Sequence, residues 1–170
     1  MNDSKTRKLA VCAMLAAAAL IFSYIEAVIP FSVGMPGIKL GFANIVIVYV
    51  LYRFDGRYAF AVNVVRIVLA GLLFGSPFSA LYALAGGMVS LCAMILIKKA
   101  GVFSVTGVSM AGGVFHNLGQ LAVAACVVQT AQVIIYFPVL IFSGVAAGIV
   151  NGVAAQLCLN RTIKPFKKSL

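Results

Sequence analysis

The sequence predicts an all-α integral membrane protein with six transmembrane helices. Of its 170 residues, 64% are hydrophobic and only 9% are charged, whereas an ordinary soluble domain has about 25% charged residues. The apolar residues form long runs, and the cations lie in short clusters between those runs. Because so few charges cannot cover a water-facing surface, we expect lipid to surround a single membrane domain over residues 1–170.

Six apolar segments are candidates for membrane helices, since a helix needs about 20 apolar residues to cross the bilayer. They cover approximately residues 9–29, 40–52, 58–74, 78–97, 107–128 and 133–159. The first segment follows a basic N-terminus but is longer than the apolar region of a typical signal peptide, so we interpret it as a retained helix. The second segment, residues 40–52, is too short to span.

The positions of the cations predict the direction of the chain. A net charge of +10 would suggest a nucleic-acid partner in a soluble protein, but these cations form four clusters separated by apolar segments. The clusters are Lys5, Arg7 and Lys8; Arg53 and Arg57; Lys98 and Lys99; and Arg161, Lys164, Lys167 and Lys168. With both termini in the cytoplasm, all four clusters lie on the cytoplasmic side, in agreement with the positive-inside rule. We therefore expect a multi-pass protein of a bacterial cell membrane and no nucleic-acid partner.

The connection between the first two segments contains helix-breaking residues and a charge. Pro36 and Gly37 interrupt the helical pattern, and Lys39 follows them. Irregular backbone at membrane depth is tolerated only where protein or a water-filled cavity surrounds it. We therefore expect residues 32–41 to fold over or into a cavity on the outer side. The alternative is an ordinary short loop before a thin, untilted second helix.

Arg66 is the first candidate for a functional residue because it lies in the middle of the apolar third segment. A guanidinium does not lose its proton in proteins, and an arginine at mid-bilayer depth costs at least about 2.5–3.5 kcal/mol. We expect Arg66 to bind an anionic group of a solute, with Asn63 on the same helix face and Lys39 near the mouth of the site. The alternative is a structural charge paired with a helix-end carbonyl or with Glu26.

Further polar residues predict the other walls of this site. His116, Asn117 and Gln120 lie within five residues of the fifth segment, and Asn44 lies on the second. We expect these side chains to form hydrogen bonds with the solute. The alternative is that they bond only to neighbouring helices, which contributes about 0.6 kcal/mol on average.

Three more polar residues lie inside the apolar segments, and each can serve either the structure or the function of the protein. Asn151 and Gln156 on the sixth segment are expected to bond neighbouring helices. Glu26, near the outer end of the first segment, either extends to the membrane interface or pairs with Lys39.

Small residues indicate where helices approach closely. Gly144, Gly148 and Gly152 form such a stripe on the sixth segment, and Ala13 and Ala17 form a similar face on the first. Such faces usually serve packing between helices, although the face of Ala13 and Ala17 is also suited to docking a partner subunit.

The sequence predicts neither a metal site nor a cofactor. His116 is the only histidine, and no cysteine or carboxylate lies at ligand spacing from it. The cysteines lie singly inside apolar segments, which is typical of small buried side chains. They are Cys12, Cys92, Cys126 and Cys158.

Three stretches of the chain resemble the Gx transporter family, which is also labelled heptaprenyl diphosphate synthase component I. The first is PGIKLGFANI at residues 36–45, and the last is GVFHNLGQ at residues 113–120. Between them come Asn63-Val-Val-Arg66, then Gly71 with Gly75-Ser76, and then Gly86-Gly87 with Ser90. The family is in turn similar to the S components of energy-coupling factor transporters.

This resemblance implies an S-component-like bundle of six helices that captures a small solute from outside. It also implies that the loop between the first two helices, here with Pro36 and Gly37, is a gating loop above the solute. It further implies that an alanine-rich first helix, here with Ala13 and Ala17, docks on a transmembrane coupling subunit driven by ATPases. We therefore expect a substrate-binding subunit for an anionic solute that is vitamin-, flavin- or isoprenoid-like. The chain has no G-x-x-x-x-G-K-[ST] phosphate loop, so ATP hydrolysis would come from partners.

Catalysis is not expected, because the chain lacks the carboxylates that the synthase label would require. Its only acidic residues are Asp3, Glu26 and Asp55, and they offer no pair for Mg²⁺ or for acid–base work. The alternative function is a non-catalytic membrane partner of a prenyl-diphosphate enzyme or of a flavin- or quinone-related enzyme. A channel or a purely structural subunit is a third class, and the central arginine disfavours cation conduction.

Overall fold

The computed structural model of the protein describes residues 3–29, 41–129 and 135–163. The helices in these ranges are α1 (Asp3–Val28), α2 (Ala43–Arg53), α3 (Gly56–Phe74), α4 (Pro77–Ala100), α5 (Val105–Val128) and α6 (Phe137–Ile163). The described ranges contain no strand, and five of the helices are long and apolar enough to cross a membrane. The predicted all-α membrane fold with six helices is therefore confirmed, and α2 is the helix too short to span.

Several helices extend beyond the apolar segments of the sequence. Helix α1 begins at Asp3 and includes the basic N-terminal cluster, α4 continues to Ala100, and α6 continues to Ile163. Lysine and arginine are good helix formers, so these helices continue after the apolar pattern ends.

Short polar caps separate α2, α3, α4 and α5. Asp55 precedes α3 and accepts hydrogen bonds from the backbone N–H groups of the helix's first turn. Ser76 and Ser79 form a reciprocal capping box at the start of α4. That helix ends at Gly101 in a left-handed conformation, φ 72°, and Ser104 caps α5. These tight connections make successive helices antiparallel neighbours.

Helix α2 lies inside the bundle, where it packs against α1, α3 and α6. Val48 and Val50 are fully buried, and Ile47 and Leu51 are nearly so. At its C-terminal end, the Lys98 Nζ donates a hydrogen bond of 2.5 Å to the Leu51 carbonyl oxygen. A short helix is tolerated in this position because its buried side chains pack against neighbouring helices rather than lipid.

Helices α5 and α6 approach each other closely along the glycine stripe of α6. A Cβ atom added to Gly113 would lie 2.2 Å from the carbonyl oxygen of Gly144, and one added to Gly148 would lie 2.4 Å from the Cα of Met110. Neither helix can accept a side chain at these positions without moving. The stripe predicted from the sequence is therefore a packing surface between α5 and α6.

Candidate functional site

Arg66 is buried on α3, with 9% of its surface exposed, and two asparagines hold its guanidinium. Its Nε and Nη2 both donate to the Oδ1 of Asn63, at 3.2 and 3.0 Å. Nη2 also donates to the Oδ1 of Asn44 on α2, at 3.2 Å. The amide of Asn63 is oriented by its own Nδ2, which donates to the carbonyl oxygen of Gly87 on α4 at 3.1 Å. Arg66 is thus fixed between α2, α3 and α4.

Gly41 fixes the start of α2 and therefore the position of Asn44. Its carbonyl oxygen accepts hydrogen bonds from the backbone N–H of Asn44 at 2.7 Å and from the Nδ2 of Asn151 on α6 at 3.1 Å. Its backbone N–H donates to the Oε1 of Glu26 on α1. Gly41 has φ +68°, a conformation that glycine adopts without strain. A continuous set of hydrogen bonds thus runs from α6 through Gly41 and Asn44 to Arg66.

A cavity of about 390 Å³ lies beside this set of hydrogen bonds. Its apolar wall includes Ile67 and Phe74 of α3 and Ala83 of α4. The polar side chains that line it come from five helices. They are Ser23, Glu26, Asn44, Arg66, Ser79, His116 and Gln120.

Gly86 on α4 allows the fifth helix to bring its polar side chains to the cavity. A Cβ atom at Gly86 would lie 2.8 Å from both the Cγ of Gln120 and the carbonyl oxygen of His116. Because glycine leaves this space open, α5 lies close enough to α4 for both side chains to reach the cavity.

The residues predicted for the site separate into those that line the cavity and those that do not. Arg66, Asn44, His116 and Gln120 line it. Asn63 is not a lining residue; it is 1% exposed and contacts Arg66.

Asn117 faces another helix, although the sequence grouped it with His116 and Gln120. Its Nδ2 donates to the Leu140 carbonyl oxygen at 2.7 Å and to the Ser143 Oγ at 3.1 Å, both on α6. It is not among the residues that line the cavity.

The remaining predicted residues are on α1 or follow it in the sequence. Ala13 and Ala17 are exposed on α1. Lys39, Pro36 and Gly37 lie outside the described residues.

Ser23, Ser79 and Gly41 line the cavity but were not predicted as site residues. Ser23 precedes Glu26 by one helical turn on α1, so helical spacing places both on one face and could have identified Ser23. Ser79 has the spacing of a helix-capping residue and carries no further signal. The role of Gly41 depends on side chains from α1 and α6, which the local sequence does not reveal.

Metal ligands are not concentrated in the described part of the chain. No group of three or more histidine, cysteine, aspartate or glutamate side chains is placed to hold an ion within residues 3–29, 41–129 and 135–163.

Together these features define the class of protein: an α-helical membrane protein with a buried arginine beside a cavity. The family model for heptaprenyl diphosphate synthase component I matches residues 15–158, so the chain belongs to that family. The matched range includes every cavity-lining residue named above. No curated protein and no solved structure matches the chain.

Proposed function

We propose that this protein is the solute-binding membrane subunit of an uptake transporter of the energy-coupling factor type, and that it binds a small solute with an anionic group from the outside. The observation that carries the proposal is Arg66, a permanently charged side chain that is buried, held by two asparagines and exposed to a cavity. A buried charge is stabilised by groups of opposite sign; Glu26 lines the same cavity, and a solute anion would be a partner in direct contact with the guanidinium.

The guanidinium of Arg66 has N–H groups that are available to donate hydrogen bonds to a solute. Its hydrogen bonds within the described residues use Nε and Nη2. An arginine has five N–H donors, so the two N–H groups of Nη1 remain for an acceptor in the cavity. A charge-assisted hydrogen bond in such a setting is strong enough to orient a ligand.

The other walls suit the rest of a small organic molecule. Asn44, His116 and Gln120 offer hydrogen bonds, while Ile67 and Phe74 offer apolar contact. The volume of about 390 Å³ falls in the range of about 300–1,000 Å³ that is usual for small-molecule sites.

Some of the proposed residues do not contact the solute, and others lie outside the described ranges. Asn63 acts through Arg66, and Asn117 acts by fixing α5 against α6. Lys39 would add a cation at the mouth of the site, and Pro36 and Gly37 would form the gating loop.

The proposed topology has both termini in the cytoplasm, since this orientation puts the four basic clusters inside. Ala13 and Ala17 are exposed on α1 and are therefore accessible to a transmembrane coupling subunit. ATP hydrolysis is assigned to partner ATPases, and the chain itself is not assigned an enzymatic activity.

Identification of the small molecules that co-purify with the protein tests this proposal. The tagged wild type, Arg66→Gln and Arg161→Gln are purified from native membranes, and the molecules released by denaturation are measured by mass spectrometry. Arg161 is the matched control because it is an exposed arginine on α6. We expect at least about a tenfold loss of one compound from Arg66→Gln alone, since a hydrogen bond to a charged group contributes about 1.5–3 kcal/mol. Equal amounts in all three samples would contradict the proposal.

The family's description supports a second candidate function. The description names a component of a synthase, and a component implies that another component is its partner. The chain would then be a non-catalytic membrane partner of a prenyl-diphosphate enzyme, or of a flavin- or quinone-related enzyme. Affinity purification from native membranes separates the two candidates: a transporter subunit brings down a membrane protein with ATPases, and a synthase component brings down a soluble enzyme without them.

A further inference from the structure

We infer that the anionic group of the solute is a single carboxylate, rather than a phosphate or a diphosphate, and that it is attached to a largely apolar body. This inference rests on the proposed function and names the chemical class of its solute. It follows from the donors, the charges and the helix ends around the cavity.

The donors that Arg66 can offer are few. Nε and Nη2 are engaged with Asn63, and Nη2 is engaged with Asn44 as well. The guanidinium therefore cannot present its Nε–Nη2 edge to an incoming anion without losing both asparagines. What remains are the N–H groups of Nη1, which suit one oxygen atom of a carboxylate. A phosphoryl group has three strong acceptor oxygens and would leave most of them without a charged donor.

The charges around the cavity also favour a weakly charged anion. Arg66 is the only lysine or arginine that lines the cavity in the part of the chain that the structure describes, and Glu26 lines the same cavity. A phosphate monoester carries a charge of about −1.5 to −2 at neutral pH, and a diphosphate carries more. One guanidinium offsets the single charge of a carboxylate more fully than the larger charge of a phosphate or a diphosphate.

Helix N-termini are common phosphate sites elsewhere, and the N-terminus that α4 presents at the cavity is already capped. At the start of α4, Ser76 and Ser79 each accept the other's backbone N–H, at 2.9 and 3.1 Å. Helix α2 has no side-chain cap, but before its start the N–H of Gly41 donates to the carboxylate of Glu26. The protein's own side chains thus occupy backbone donors that a phosphate would use.

The other residues that line the cavity indicate the chemistry of the part of the solute that is not charged. Ile67, Ala70 and Phe74 of α3 and Ala80 and Ala83 of α4 form an apolar surface. An apolar group is stabilised by such a wall at about 25 cal/mol per Å² of buried surface, while His116 and Gln120 on α5 can bond an isolated polar group.

The test is the chemical analysis of the compound released from purified wild-type protein, compared with Arg66→Gln. High-resolution mass spectrometry gives its phosphorus content, and methyl esterification counts its carboxyl groups. We expect a compound without phosphorus that gains one methyl group and falls at least about tenfold in Arg66→Gln. Because the wild-type compound alone decides its chemical class, the result does not depend on the variant folding well.

The other outcomes separate this inference from the proposed function. A compound that contains phosphorus, or that carries two or more acidic groups, and is lost from Arg66→Gln overturns the carboxylate inference and leaves the transporter proposal intact. A released compound with no acidic group overturns the inference and also contradicts the anionic solute of the proposed function. The absence of any compound that differs between the two samples contradicts both.

Discussion

Arg66 donates from two of its nitrogen atoms to one oxygen atom, the Oδ1 of Asn63, which lies one helical turn earlier on α3. The Nδ2 of the same amide donates to the carbonyl oxygen of Gly87, so its orientation is fixed from the other side. An arginine side chain has many rotamers and loses considerable entropy when it is held in one. Asn63 has thus already restricted the guanidinium before a solute arrives, which reduces the entropy lost on binding.

Replacement of Asn63 tests this relationship. Asn63→Leu removes the acceptor of two bonds from Arg66 and the donor to Gly87. Because it leaves a buried charge less well paired, we expect the free energy of unfolding to fall by about 1.5–3 kcal/mol. Denaturant titration in mixed micelles measures the change. Asn160→Leu, at an exposed position on α6, is the control and should change stability by no more than about 0.5 kcal/mol.

Two neighbouring polar residues on α5 should give opposite results when each is replaced by leucine. Gln120→Leu alters the wall of the cavity, and we expect retention of the co-purified solute to fall about tenfold with little change in stability. Asn117→Leu removes bonds to Leu140 and Ser143 on α6. We expect it to reduce the free energy of unfolding by about 0.6–1.7 kcal/mol and to leave retention unchanged. The reverse pattern would show that Asn117, and not Gln120, contacts the solute.

The neighbouring residues His116 and Asn117 illustrate which features a sequence can predict. The helices, and the choice of Arg66 as a candidate site residue, follow from local properties, namely apolar runs of membrane length and the energetic cost of a charge among them. Adjacent residues on a helix point about 100° apart, so His116 and Asn117 cannot both face one cavity directly. Which of them faces inward depends on how α4 and α6 pack against α5, and this is a tertiary property. The hydrogen bonds that hold Gly41 were not predicted for the same reason, since the side chains that form them are on α1 and α6.

The close contact of α5 and α6 predicts a large difference between two glycines of the same helix. In Gly113→Ala the added Cβ would lie 2.2 Å from the Gly144 carbonyl oxygen, so the helices must separate. We expect a loss of about 1–3 kcal/mol in the free energy of unfolding. In Gly107→Ala the nearest atom would lie at 3.4 Å, and alanine favours a helix over glycine by up to about 1 kcal/mol. Gly107→Ala should therefore be neutral or stabilising in the same titration, and equal losses in both variants would contradict the packing described.

Asn151 on α6 should influence solute retention although it does not line the cavity. Its Nδ2 donates to the Gly41 carbonyl oxygen at 3.1 Å, and the same oxygen accepts from the backbone of Asn44. In Asn151→Leu the start of α2 loses this anchor, and we expect Asn44 to hold Arg66 less precisely. Retention of the co-purified solute should fall by about twofold to tenfold, since one hydrogen bond contributes about 0.5–1.5 kcal/mol.

A purely structural role for Asn151 would have a different signature. The variant would then lose stability, yet its folded fraction would retain solute as the wild type does. Retention is therefore measured per folded molecule, isolated as the monodisperse fraction in size-exclusion chromatography. Gln156→Leu is the matched control, because its Nε2 donates to Asn160 on the same helix, at 3.3 Å, and neither residue lines the cavity. Reduced retention in Asn151→Leu alone would mean that the contact between α6 and Gly41 acts on the binding site through Asn44.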